Sequence, residues 1–216
     1  MLDLSSHLSG PPGFEEAMDD IVPMLPRIYP AQTYGMEPVR VMLPPGLQVE
    51  FAIDMGGSYG TVMTSMLSDW GVEAGTVALA ALANLRRDAE ARDPRTVEEV
   101  VHNGMTLRAL RQVNGWESAL ILVPDMLERF FGSEPVLVAA PLRTTLMALD
   151  GMVDPREIFE LSAAFAASDP RGLAVDPMLL ADGRLQAFRR LPDGEFELAS
   201  PAGVDLRARQ GRRLHA

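Results

Sequence analysis

Gly56-Gly57-Ser58-Tyr59-Gly60 has the G-x-S-x-G spacing of a nucleophile elbow. In that motif the serine sits on a strained turn, and the glycines give the backbone room to close it. A serine nucleophile also needs a base, and His102 is the one histidine away from the chain ends, the others being His7 and His215. Ser58 with His102 is therefore the candidate pair for a small serine hydrolase. The same glycines equally suit a hairpin loop, and Thr61-Val62-Met63-Thr64 reads as a returning strand where an elbow requires a helix. Glu99-Val100-Val101-His102 has E-x-x-H spacing, which on a helix places both side chains on one face, as in di-iron bundles. With no second interior histidine, no metal site is expected.

Pro141-Leu142-Arg143-Thr144-Thr145 follows an apolar run and opens a stretch read as a helix, Pro141 to Leu149. Free N–H groups at a helix start attract anions, and a guanidinium adds a bidentate clamp. Arg143 with Thr144 is thus the candidate site for a small anionic ligand. Thr144 or Thr145 serves equally as a plain N-cap. Trp116, Trp70 and Tyr59 are large enough to line a pocket or to fill a core.

Absences narrow the chemistry further. The 216 residues include no Cys, and all 19 basic residues are Arg. Disulfides, thiolate nucleophiles and Cys-based zinc sites are excluded. So are Schiff-base chemistry and the lysines of P-loops and kinases. Complete loss of Lys beside abundant Ala, Gly, Pro and Arg reads as codon bias in a GC-rich bacterial genome. No cofactor is implied. The net charge is −11. Arg207, Arg209, Arg212 and Arg213 stand in an acid-free stretch, so the acidic excess lies wholly within residues 1–206. Such a body repels phosphate backbones, so no nucleic-acid partner is expected. No apolar run reaches the ~18 residues of a membrane span, and the start lacks a basic segment followed by an apolar one. A cytoplasmic protein is the expectation.

The elements that must position these groups read as follows. Residues 1–14 are a loose lead-in around Gly10-Pro11-Pro12-Gly13. Phe14 to Leu25 has helical spacing, shortened by Pro23 and Pro26. Val39 to Leu43 is extended, and Leu47, Val49, Phe51 and Ile53 alternate as a half-buried strand. Glu73 to Ala91 is the clearest helix, lined by Val77, Ala78, Ala81, Leu82, Leu85 and Ala89. Met105 to Val113, the Asn114-Gly115 turn and Trp116 to Val123 read as a hairpin whose second arm is a central strand. Pro124 to Phe131 is a helix closed by Gly132, and Val136 to Ala140 a buried strand. Asp154-Pro155-Arg156-Glu157 opens a helix that runs to about Ala167. Two turns, at Asp182-Gly183 and Pro192-Asp193-Gly194, make the remainder a β-meander. The sum is one α+β domain over residues 1–206, with a mostly antiparallel or mixed sheet, helices packed on it and a C-terminal β-meander. Residues 207–216 form a basic tail.

Residues 47–147 follow an order of strand, strand, helix, hairpin, short helix and strand. They contain Ala83-Asn84-Leu85, Ser118-Ala119-Leu120-Ile121-Leu122 and Pro141-Leu142-Arg143. This order resembles the YtpQ-like family of bacterial domains of unknown function. That family has a helix with an Asn-Leu step, a Ser-Leu-Leu-like strand start and a later Pro-Ser-Arg-Asp. Leu142 and Thr144 stand where Ser and Asp occur in that motif. The resemblance implies an α+β fold and a cytoplasmic location, and adds Asn84 and Ser118 to Arg143 and Thr144 as ligand-binding candidates. With no metal set, no Lys or Cys, one interior His and no complete motif, the protein is expected to be a non-catalytic protein-interaction or regulatory module, binding a protein partner or itself as a homo-oligomer. The alternatives are the Ser58 hydrolase and the small-anion sensor.

Overall fold

A computed structural model describes residues 12–28, 36–102, 104–111 and 115–199. Residues 1–11 of the lead-in 1–14 and the basic tail 207–216 lie outside them. Four strands make the smaller sheet: β1 (Ile21–Met24), β2 (Arg40–Leu43), β3 (Leu47–Asp54) and β4 (Tyr59–Thr61). All pairs are antiparallel, and β3 is central. β1 pairs with one edge of β3, while β2 and β4 share the other, end to end. The alternating apolar residues of β3 put Val49, Phe51 and Ile53 in one core with Val62.

Seven strands make the larger sheet. In chain order they are β5 (Val97–His102), β6 (Met105–Arg111), β7 (Val136–Leu142), β8 (Thr145–Asp150), β9 (Met178–Ala181), β10 (Arg184–Arg190) and β11 (Phe196–Leu198). Their spatial order is β11-β10-β9-β7-β8-β6-β5, again antiparallel. Both faces of its middle are covered. Val136, Val138, Ala140, Leu146 and Ala148 face one core, and Leu137, Ala139, Met147 and Leu149 face another. Burial on two sides is why β7 and β8 read as unbroken apolar runs.

Five helices pack around the sheets: α1 (Phe14–Ala17), α2 (Thr64–Trp70), α3 (Ala74–Ala91), α4 (Pro124–Phe131) and α5 (Pro155–Ala167). α5 covers one face of the larger sheet through Ile158. Its start forms as the sequence predicts, with the Asp154 carboxylate accepting from the Arg156 N–H at 3.0 Å and Pro155 in the first turn. α3 ties the two halves together. Val77, Ala78 and Ala81 sit in the core of the smaller sheet, and Leu85 and Ala89 in that of the larger. The α+β class and the C-terminal meander β9-β10-β11 are as expected from sequence.

Several local expectations are corrected. Helix α1 ends at Ala17, and after a 3-10 turn Ile21–Met24 is a strand, because Pro23 breaks a helix but is tolerated on an edge strand. The returning strand is Tyr59–Thr61, and Thr64 already begins α2. Glu117–Leu122 is a buried 3-10 turn, not a central strand, since a run apolar on every side suits any buried segment. β6 pairs with β5 and β8 in place of a 116–123 strand, and Asn114 lies outside the described residues. Finally, Pro141–Leu149 is no helix. β7 runs to Leu142, Arg143 and Thr144 make a turn, and Thr145 begins β8. Pairing with neighbouring strands overrides the local preference.

Candidate functional site

The two sheets meet along a seam of short irregular pairings. The segment 171–174 leaves α5 and runs between the residues after β1 and the end of β7. Ala174 N–H donates to the Pro26 carbonyl at 2.8 Å, and Ile28 N–H to Gly172 at 2.9 Å. On its other side Leu173 N–H donates to the Pro141 carbonyl at 2.9 Å. Gly172 is required here, because a Cβ at this position would lie 2.1 Å from the Ala166 carbonyl oxygen. These pairings bring Arg27, Arg143 and Arg171 to one small cavity of about 40 Å³, with Trp116, Ser118 and Asp169 also in its wall. Each arginine comes from a different part of the chain, so no local motif announces the group.

Arg143 is held by aromatic faces. Its guanidinium carbon lies 4.7 Å from the Tyr59 ring centroid and 4.8 Å from that of Trp116. The two rings meet edge-on, 5.8 Å apart at 75°. Arg27 donates to the Tyr59 hydroxyl, and Trp116 Nε1 donates to Asp54 Oδ2 at 2.7 Å, so both rings are fixed by polar tips. Gly115, at φ +84°, lies close beneath the guanidinium, where a Cβ would stand 3.2 Å from Nη2. The Arg143 carbonyl accepts from Ser118 N–H at 3.1 Å. Despite this framework, Arg143 Nη1 is buried and has no hydrogen-bond partner among the described residues.

Arg171 is only partly committed. Its Nε and Nη2 each donate to Asp169 at 3.2 Å, and its N–H donates to the same carboxylate at 2.7 Å. The Arg171 side chain holds the Asp169 carboxyl below the usual carboxylate range.

The turn that presents Trp116 and Ser118 is anchored from below. Glu117, between them in sequence, is fully buried and accepts from Arg92 Nη1 at 3.0 Å. Arg92, at the end of α3, also donates to Asp88 at 2.7 Å. Burial pushes the Glu117 carboxyl above its ordinary value, and Arg92 offsets this only in part.

The chain matches no family model, and no curated protein or solved structure is similar to it.

Of the residues singled out from sequence, Ser118, Arg143 and Thr144 all border the three-arginine cavity. Arg143 stands in a β-turn, so the helix-start geometry expected for it is absent. Asn84 lies on the far side of Trp116, in a wide groove of about 540 Å³ bordered by Asp19, Asp20, Asp54 and Asp88. Its amide is committed to architecture: Nδ2 donates to Met18 and Ile21 carbonyls at 2.7 and 2.9 Å, and Oδ1 accepts from Arg87 at 2.9 Å. Ser58 is exposed in the turn of the β3–β4 hairpin, where no helix follows directly. His102 closes β5, the edge strand of the other sheet. Glu99 and His102 therefore share a strand, and the one-face spacing of a helix does not apply to them. Among the described residues no group of three His, Asp or Glu could hold a metal ion, and no described helix is long and apolar enough to cross a membrane. The rings of Tyr59 and Trp116 meet edge-on beside Arg143, and Trp116 borders the cavity, whereas Trp70 packs on Phe14 and donates to the Pro12 carbonyl at 2.8 Å. Sequence reasoning missed Arg27, Arg171 and Asp169. Asp169-Pro170-Arg171 looks like a helix stop, and nothing near Arg27 marks it.

Proposed function

We propose that the protein is a regulatory module that binds a small anion in the three-arginine cavity. The observation that carries this reading is Arg143 Nη1, a buried cationic donor beside Arg27 and Arg171 with no partner among the described residues. A buried donor left unsatisfied costs about 1–3 kcal/mol, and more when charged. Native proteins keep few such groups, and a bound ion is one of the reasons they are kept. An anion seated against Nη1 would satisfy it with a charge-assisted bond in a partly desolvated place. The guanidinium is already fixed between two rings, so little side-chain entropy is lost on binding. This keeps the expectation of a non-catalytic regulatory domain and gives it a ligand.

The test is calorimetric titration of the whole chain at low ionic strength with a panel of carboxylates, phosphates and sulfate. One-to-one binding that Arg143→Ala abolishes is the expected result. At ~100 times its dissociation constant a ligand stabilises by ~2.7 kcal/mol, which raises Tm by about 5–10 °C at this size. A panel in which no anion binds overturns the reading.

A further inference from the structure

We infer that the cavity selects a dianionic tetrahedral group, a phosphoryl or sulfuryl head, over a singly charged carboxylate. The inference rests on the proposed anion site and names its ligand class.

Charge is the first reason. Three arginines border the cavity, Arg27, Arg143 and the largely exposed Arg171, against one acidic residue, Asp169. Arg171 already shares its charge with Asp169 through two side-chain bonds of 3.2 Å. The excess of two positive charges matches a dianion and overcompensates a carboxylate.

Geometry is the second reason. One arginine in fork geometry saturates both oxygens of a carboxylate. Here the three arginines come from three backbone segments: the strand-like run after β1, the β7–β8 turn and the run after α5. A planar two-oxygen group has fewer oxygens than the three forks it would meet, whereas a tetrahedral group offers an oxygen to each. Each fork also has a donor to give. Arg27 spends Nη2 on Tyr59, Arg171 keeps Nη1 clear of Asp169, and Arg143 Nη1 has no partner among the described residues. The hydroxyl-bearing Ser118 and Thr144 border the same space.

Size is the third reason. At about 40 Å³ the cavity is far below the ~300–1,000 Å³ of a pocket for a drug-sized ligand. That admits an ion or a terminal head and excludes a nucleoside. A larger ligand would leave its body outside.

The experiment compares sodium sulfate, inorganic phosphate, glycerol 3-phosphate and sodium acetate on the full chain. Ionic strength is matched with chloride, and both Tm shift and titration heat are read at several pH values. Sulfate is expected to bind equally at all of them. Phosphate and its ester should tighten as pH rises through their second ionisation, near ~6 for an ester, because only the dianion fits. Acetate should be at least tenfold weaker. Tighter binding of glycerol 3-phosphate than of phosphate means the head is carried on a larger molecule, and the reverse order means the free ion; both support the dianion. Acetate binding as well as sulfate overturns the selectivity and leaves the anion site standing. No heat from any of the four overturns both. Equal sulfate stabilisation of wild type and Arg143→Met, with no titration heat, is a general salt effect and also overturns both.

Discussion

The guanidinium carbon of Arg143 sits 4.8 Å from the centroid of Trp116, whose own indole N–H is turned away to Asp54 at 2.7 Å. Trp116 therefore divides two electrostatic environments. On one side is the three-arginine cavity, and on the other the groove bordered by Asp19, Asp20, Asp54 and Asp88. The ring face stabilises the cation while the ring edge satisfies the acid.

Arg143→Met separates binding from stability. It deletes Nη1, whose unpaired burial costs about 1–3 kcal/mol. It also deletes two ring contacts that contribute about 0.5–1 kcal/mol each. These oppose each other, so unfolding free energy in anion-free buffer should stay within about 1 kcal/mol of wild type. Urea unfolding with and without sulfate checks this, and the sulfate response should be lost. A variant that loses several kcal/mol makes Arg143 a structural residue.

Asp169→Asn should tighten sulfate binding. The carboxylate competes with the ligand for Arg171 and repels it. A charge pair at contact in a water-like environment is worth about 1 kcal/mol, or about fivefold in affinity. Titration of both proteins under one buffer reads the ratio. Weaker binding in the variant would mean that Asp169 holds Arg171 in position for the ligand.

Glu117→Gln tests the buried pair through pH. The folded carboxyl is raised above its unfolded value, so between the two the folded state holds the extra proton. The contribution of Glu117 is then most favourable below the ordinary Glu value. It falls as pH rises towards the raised one, and is level beyond it. Gln does not titrate. The stability of wild type relative to the variant should therefore decline from about pH 4 towards neutrality. Chemical denaturation at a series of pH values gives the slope, and a rising difference would contradict the direction.

Trp116→Phe keeps a ring beneath Arg143 but removes the indole donor. A hydrogen bond to a charged group is worth about 1.5–3 kcal/mol, and Asp54 is half-buried, so a loss of about 1–2 kcal/mol is expected. The sulfate response should persist. Its disappearance would show that the Asp54 contact sets the ring angle.

Two glycines should respond in opposite directions. Gly172→Ala forces a methyl to within 2.1 Å of the Ala166 carbonyl oxygen, so stability should drop by about 1–3 kcal/mol and the cavity should open. Gly75, in α3, has open space around it, and Gly75→Ala should stabilise by about 0.5 kcal/mol. Thermal unfolding of both variants reads the contrast.

The sequence by itself determined the elements whose pattern is local. The alternation of β3, the periodic face of α3, the capped start of α5 and the turns of the meander rest on contacts within a few residues or on one amphipathic face. It also pointed to Arg143 and Thr144, though by a helix at Pro141–Leu149 that does not form, to Ser118 by a family resemblance, and to Trp116 and Tyr59 as large aromatic residues. Only the tertiary structure decided that Glu117–Leu122 is a buried 3-10 turn and that Thr145–Asp150 is a strand. Runs apolar on every side carry no period, and their conformation follows from the neighbours that bury them. The cavity is also tertiary in origin. Arg27, Arg143 and Arg171 lie far apart in the chain and meet because the 171–174 run is hydrogen-bonded to both sheets. That convergence depends on long-range pairing and on a glycine with no room for a Cβ, and neither leaves a mark in the spacing of the arginines themselves.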